Sequence, residues 1–167
     1  MDKSYNRNVV NYLTSLTFSG SNKIRIVLSK NSGITPNENG IDIQLIDDIL
    51  PQNQYFQWMQ SCDLVLLAYD PLSYKRRTSG VFVETVCSGK IPVVTHGTWM
   101  SSELKKFDLS DLSVDWNDPN ILNTIEYCAT EPKIRSKLNK MKNVYVSFHN
   151  EENFSKSLRN LADPKVG

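Results

Sequence analysis

Apolar positions along the chain switch repeatedly between two periods. Val9, Val10, Leu13 and Leu16 recur at helical spacing and predict an amphipathic helix over residues 5–16. Residues 24–28 alternate and predict a strand; a tract over 29–40, rich in Asn, Gly and Pro, predicts a loop. Ile41, Ile43, Leu45 and Ile46 mark a second strand. Pro51 suits a first helical position, after which Tyr55, Trp58, Met59 and Cys62 share one helix face. The continuous apolar run 64–68 reads as a parallel strand buried on both faces. A helix over 80–88 follows, with Gly89 where a left-handed cap belongs, then a strand over 91–95. A helix near 101–107, a short strand at 112–114 and helices over 118–128, 131–148 and 151–161 complete the pattern. Strands alternating with helices predict one α/β domain over 1–167: an open, doubly wound, mostly parallel sheet with helices on both faces.

Composition narrows the functional classes. A formal net charge of +1 over 167 residues offers no general basic footprint for nucleic acid. No apolar run reaches the length of a membrane span, and Asp2 and Lys3 open a polar N-terminus without a signal-peptide pattern. Cys62, Cys87 and Cys128 are odd in number and widely spaced, which fits structural thiols in a reducing cytosol rather than a disulfide framework or a zinc site. Asn153-Phe154-Ser155 matches a glycosylation acceptor by spacing and is read as chance.

The candidate chemistry lies where the run 64–68 opens into Tyr69-Asp70-Pro71-Leu72-Ser73-Tyr74-Lys75-Arg76-Arg77-Thr78-Ser79-Gly80. A strand end, a polar loop and a helix start form a seat for phosphate. Ser79 is a good N-cap, and the amides of Gly80, Val81 and Phe82 lack partners within the helix. Gly80, Glu84 and Ser88 share a face at i, i+4 spacing, an odd stripe of two small residues and one carboxylate. Helical side chains lean toward the N-terminus, so Glu84 reaches back to within about one turn, ~5.4 Å, of the phosphate seat. A ribose joined to that phosphate offers hydroxyls at such a distance, and a carboxylate accepts them well. The blander reading is an ordinary helix start with a surface acid. Arg77 is the arginine placed to face the anion, whereas Lys75 and Arg76 also read as a solvated charge run. Tyr69 and Tyr74 either stack on a base or cap the core. Asp70 either joins the site or makes a turn with Pro71. His96 lies just past a strand end and either meets ligand or makes a backbone hydrogen bond. His149 reads as a surface residue, and Trp58 and Trp99 as packing residues.

These residues carry a resemblance. Cys62-Asp63-Leu64-Val65-Leu66-Leu67-Ala68-Tyr69-Asp70, then Tyr74, Arg77, Ser79-Gly80-Val81 and Glu84, then Gly89-Lys90-Ile91-Pro92-Val93-Val94 and Gly97-Thr98-Trp99, resemble bacterial group 1 glycosyltransferases. The similarity is to the C-terminal, donor-binding half of the GT-B fold, a Rossmann-like domain. It is most specific over 62–99 and extends more weakly to about 162. It implies that the backbone at Ser79, Gly80 and Val81 cradles a donor pyrophosphate and that Glu84 holds the nucleotide ribose. The implied ligand is a nucleotide-diphosphate sugar, with no other cofactor and no metal. The implied activity is sugar transfer to a glycan or other acceptor, as in polysaccharide biosynthesis, in the cytoplasm or at the inner face of a membrane. The acceptor would sit in a separate or missing N-terminal domain, so the chain alone is expected to transfer little sugar.

Two departures stand out. Many relatives carry a second acid eight residues before the glutamate, where this chain has Arg76. Relatives also carry an arginine and a lysine after a first strand for which this chain shows no convincing equivalent, Lys3 lying near the lysine's place. That strand lies centrally in the family, so its loss is expected to bring the strands at 24–28 and 64–68 into direct pairing. The rival function is a non-catalytic interaction module that keeps the fold and uses its exposed docking face for a partner or a homodimer. A nucleotide-binding regulator of flavodoxin-like topology is a third option, and it lacks the clustered acids of metal-dependent phosphotransfer.

Overall fold

The computed structural model describes residues 4–18, 20, 22–34 and 40–148. The expected helix over 151–161, His149 and the Asn153 acceptor motif lie outside the described residues. In chain order the elements are α1 (Ser4–Ser15), β1 (Ile24–Ser29), a 3-10 turn (Lys30–Ser32), β2 (Ile41–Ile46), α2 (Gln52–Ser61), β3 (Leu64–Leu67), α3 (Gly80–Cys87) and β4 (Ile91–Thr95). α4 (Trp99–Lys105), a second 3-10 turn (Ser110–Leu112), β5 (Ser113–Val114), α5 (Ile121–Thr130) and α6 (Pro132–Phe148) complete them. All strand pairings are parallel, as the alternation of elements requires. The class is mixed α/β with a Rossmann-like open arrangement.

The sheet, however, is split. β1 pairs β2 in one ladder, and β3-β4-β5 form another. The expected direct pairing of 24–28 with 64–68 does not occur. The two groups correspond to the flanks 3-2 and 4-5-6 of a doubly wound sheet of order 3-2-1-4-5-6, with no strand between them among the described residues. The approach to β1 is anchored elsewhere: the backbone and side-chain amides of Asn22 both donate to Glu126 of α5, at 3.0 and 2.6 Å. Tyr12 of α1 donates to the Asn117 carbonyl at 3.2 Å. These contacts tie α1 and the start of β1 to the region around α5, and no ladder joins β1 to β3. Leu64, Val65 and Leu66 are consequently half-buried, whereas every residue of β4 is buried.

The core gathers around β4. Phe82, Val86, Ile91, Val93, Met100, Leu104, Leu112 and Met141 are fully buried, and Trp116 nearly so. Each such side chain contributes roughly 1.5–3 kcal/mol of transfer free energy. Trp116 donates its indole N–H to Thr95 Oγ1 at 2.9 Å, which removes the cost of an unpaired buried donor. On α6, Ile134, Leu138, Met141 and Tyr145 form the buried stripe. Tyr145 meets Phe82 edge-on at 6.2 Å and donates to Glu103 at 2.9 Å, so α6 holds α3 and α4 in place.

Local boundaries differ from the sequence expectation by one or a few residues. Pro51 is the N-cap of α2 in extended geometry, so Gln52 is the first helical residue. α4 starts at Trp99 because the Thr98 hydroxyl accepts the Ser101 amide at 3.2 Å. α5 starts at Ile121 because Asp118 caps a preceding turn through the Asn120 amide. Among the described residues, no helix is long and apolar enough to cross a membrane.

Candidate functional site

α3 is built to start and stop where it does. Ser79 is extended and accepts the Phe82 amide on its hydroxyl at 3.2 Å, while its carbonyl accepts the Val83 amide at 3.2 Å. At the other end Gly89, at φ 72°, donates to Val86 and Lys90 donates to Thr85, a two-bond left-handed cap. Phe82, Thr85 and Val86 face the core. Gly80, Glu84 and Ser88 are all exposed, so the small-acid-small stripe is the outward face of the helix.

Of the three amides expected to be free at the start of α3, one is already engaged. The Phe82 amide is taken by Ser79, leaving the Gly80 and Val81 amides as the open pair among the described residues. Nothing lies within 4 Å of a Cβ placed on Gly80. The position beside Gly80 is thus open.

The two loops at the strand ends do meet. Trp99 donates its amide to the Tyr74 carbonyl at 2.8 Å, and a Cβ on Gly97 would lie 4.0 Å from Pro71. Asp70 closes the first loop as a turn: its carboxylate accepts the Ser73 amide at 2.7 Å, and its carbonyl accepts the Tyr74 amide at 3.0 Å. Tyr74 is 5 % exposed and belongs to the core, which is the capping alternative for that ring. Tyr69 stacks on it, 4.3 Å between centroids at 20°, and stays half-buried. The Arg77 guanidinium lies 5.5 Å from the Tyr74 centroid, a cation–π contact that steers this exposed side chain over the loop. Lys75, Arg76 and Arg77, with Leu72 and Ser73, rim a shallow surface hollow of about 460 Å³.

Glu84 does not stand alone in water. Its Oε2 accepts a hydrogen bond from the Tyr55 hydroxyl at 2.7 Å. Burial, then the hydrogen bond to Glu84 and the charge of that carboxylate, push the Tyr55 phenol far up, so it remains a donor. Tyr69 is also raised, chiefly by burial; the Ser79 hydroxyl opposes the rise by hydrogen bonding, while Tyr74 and Glu84 add to it. The Glu84 carboxylate is therefore within electrostatic reach of the ring beside the helix start.

Tyr69, Arg77, Gly80, Val81 and Glu84 are exposed or half-buried around the start of α3, whereas Tyr74 and Ser79 are buried beneath them. His96 is turned the other way: its amide donates to Val114 at 3.0 Å and its Nδ1 lies 3.2 Å from Ser113 Oγ, both on the β5 side. Trp99 packs edge-on against Phe82 at 5.7 Å, the packing role expected for it. Sequence reasoning missed Tyr55 as a member of the candidate site and only placed it on one helix face with Trp58, Met59 and Cys62. The available signal was its position in the first turn of the helix before β3, which sets it near the edge where β3 ends. Tyr5, at the start of α1, also reaches this edge: burial raises its phenol and a hydrogen bond to the Thr95 side chain opposes the shift. Comparison with protein-family models, with curated proteins and with solved structures returns no match.

Proposed function

We propose that the chain is the donor-binding half of a glycosyltransferase, gripping a nucleotide-diphosphate sugar for transfer to a glycan or other acceptor. The observation that carries this reading is the spacing of two unlike groups on one exposed helix face. The Gly80 and Val81 amides have no acceptor among the described residues, the position beside Gly80 is open, and a carboxylate anchored at Glu84 stands one turn behind them. The amides and the helix dipole favour an anion by roughly 0.3–1 kcal/mol at an exposed end and more when water is excluded. Arg77 adds an exposed positive charge, and Tyr69 offers a half-buried aromatic surface. Stabilising a departing nucleotide diphosphate is an electrostatic task, and this patch supplies part of it. A second domain would supply the acceptor site.

Calorimetric titration with UDP, GDP, ADP and dTDP tests the reading. One of the four should bind, and Glu84→Ala should weaken it at least about tenfold, equivalent to ~1.4 kcal/mol. Absence of heat with all four rejects the donor-binding reading. The split sheet favours one rival, a non-catalytic module with the same fold that binds a partner chain or itself. Light scattering after size exclusion, showing a stable dimer in a protein that binds no nucleotide, would support that rival.

A further inference from the structure

The bond between Tyr55 and Glu84 joins α2 to α3 across the exposed face of the candidate site. A carboxylate has two acceptor oxygens, and a protonated phenol donates a single hydrogen. Oε2 is engaged at 2.7 Å, and Oε1 has no hydrogen-bond donor among the described residues. Glu84 would otherwise be a solvent-facing helical glutamate with several accessible rotamers. Tyr55 itself is held by its half-buried ring, which meets Phe56 edge-on at 5.7 Å. We infer that Tyr55 is a positioning residue: it pins one oxygen of Glu84 so that the other points outward for the sugar hydroxyls of a nucleoside diphosphate. This inference rests on the donor-binding reading and deepens it. It assigns α2 a part in ligand selection, through a residue that touches Glu84 and not the ligand.

The phenol keeps its proton because burial, then the neighbouring carboxylate, oppose its ionisation. The bond therefore persists over the working pH range and acts as a fixed brace rather than a switch. Its loss should be felt only by ligand groups that bind Glu84. The diphosphate, seated at the Gly80 and Val81 amides, should not sense it.

The test compares wild type, Tyr55→Phe, Glu84→Ala and the double variant by calorimetry. The probes are UDP, GDP, ADP and dTDP, the 2′,3′-dideoxy form of whichever binds best, and inorganic pyrophosphate. Tyr55→Phe keeps the ring and removes only the hydroxyl. It should weaken the best nucleoside diphosphate by about fivefold, a typical loss for one hydrogen bond, and leave pyrophosphate and the dideoxy form unchanged. In the Glu84→Ala background it should have no further effect. Equal weakening of nucleotide and pyrophosphate would show a merely structural role and overturn the inference, as would unchanged binding of every probe. A wild type that binds no nucleotide overturns the donor-binding reading itself, and the inference with it. A wild type that binds normally while Tyr55→Phe matches it overturns the inference alone.

Discussion

Gly80 tests the site most directly because folding and binding make opposite demands there. Its backbone lies outside the left-handed region, and an added Cβ meets nothing within 4 Å. Alanine should fit and restrict the unfolded chain, raising stability by roughly 0.4–1 kcal/mol. On the donor-binding proposal, the same methyl would crowd an anion that approaches the Gly80 and Val81 amides. Gly80→Ala should therefore raise the urea midpoint slightly and weaken nucleoside diphosphate binding by at least about tenfold, or ~1.4 kcal/mol. Unchanged affinity would place the anion elsewhere. Other residues show why single positions resist assignment from sequence. Tyr69 and Tyr74 are chemically alike and five apart, yet one ring is half-buried and the other is core. His96 lies at the correct sheet edge and still faces β5.

α3 as an element was legible in advance because its start and stop signals are local. The Ser79 side chain reaches an amide three residues ahead, and Gly89 adopts φ 72° to close the last turn. Both motifs depend on bonds within the helix ends and need no distant partner. Ser79→Ala removes the side-chain acceptor of the buried Phe82 amide and should cost about 1 kcal/mol, within a range of roughly 0.5–2. Thermal or urea unfolding measures it, and Ser79→Thr, which keeps a hydroxyl at the cap, should recover most of the loss. If Ser79→Ala leaves stability unchanged, the cap contributes nothing. α2 is the contrasting case. Its helical pattern was readable, but its bond to Glu84 depends on how two separate helices lie over the sheet.

At the scale of the molecule, the divided sheet makes a distinctive prediction. The Ile91 amide bonds to the Asp63 carbonyl at 3.3 Å, and Leu64 registers with Ile91. In a parallel ladder this phase turns the amides of Val65 and Leu67 toward β4 and those of Leu64 and Leu66 toward the free edge. Native-state hydrogen exchange should show strong protection at Val65 and Leu67 and markedly faster exchange at Leu64 and Leu66. Equal protection along the strand would mean that its second edge is covered. An edge of this kind is a liability for association, which the half-exposed apolar side chains of β3 increase.

The order of strands and helices, the parallel sense of the sheet, the caps of α3 and the helix face shared by Gly80, Glu84 and Ser88 were all determined by the sequence itself. Each depends on periodicity or on hydrogen bonds spanning a few residues, and such signals survive without knowledge of the rest of the chain. The tertiary structure alone decided that β1 and β3 stay unpaired, that Tyr74 is core, and that Tyr55 holds Glu84. These outcomes depend on how segments distant in the chain are oriented, because pairing edges and aiming side chains depend on packing between elements.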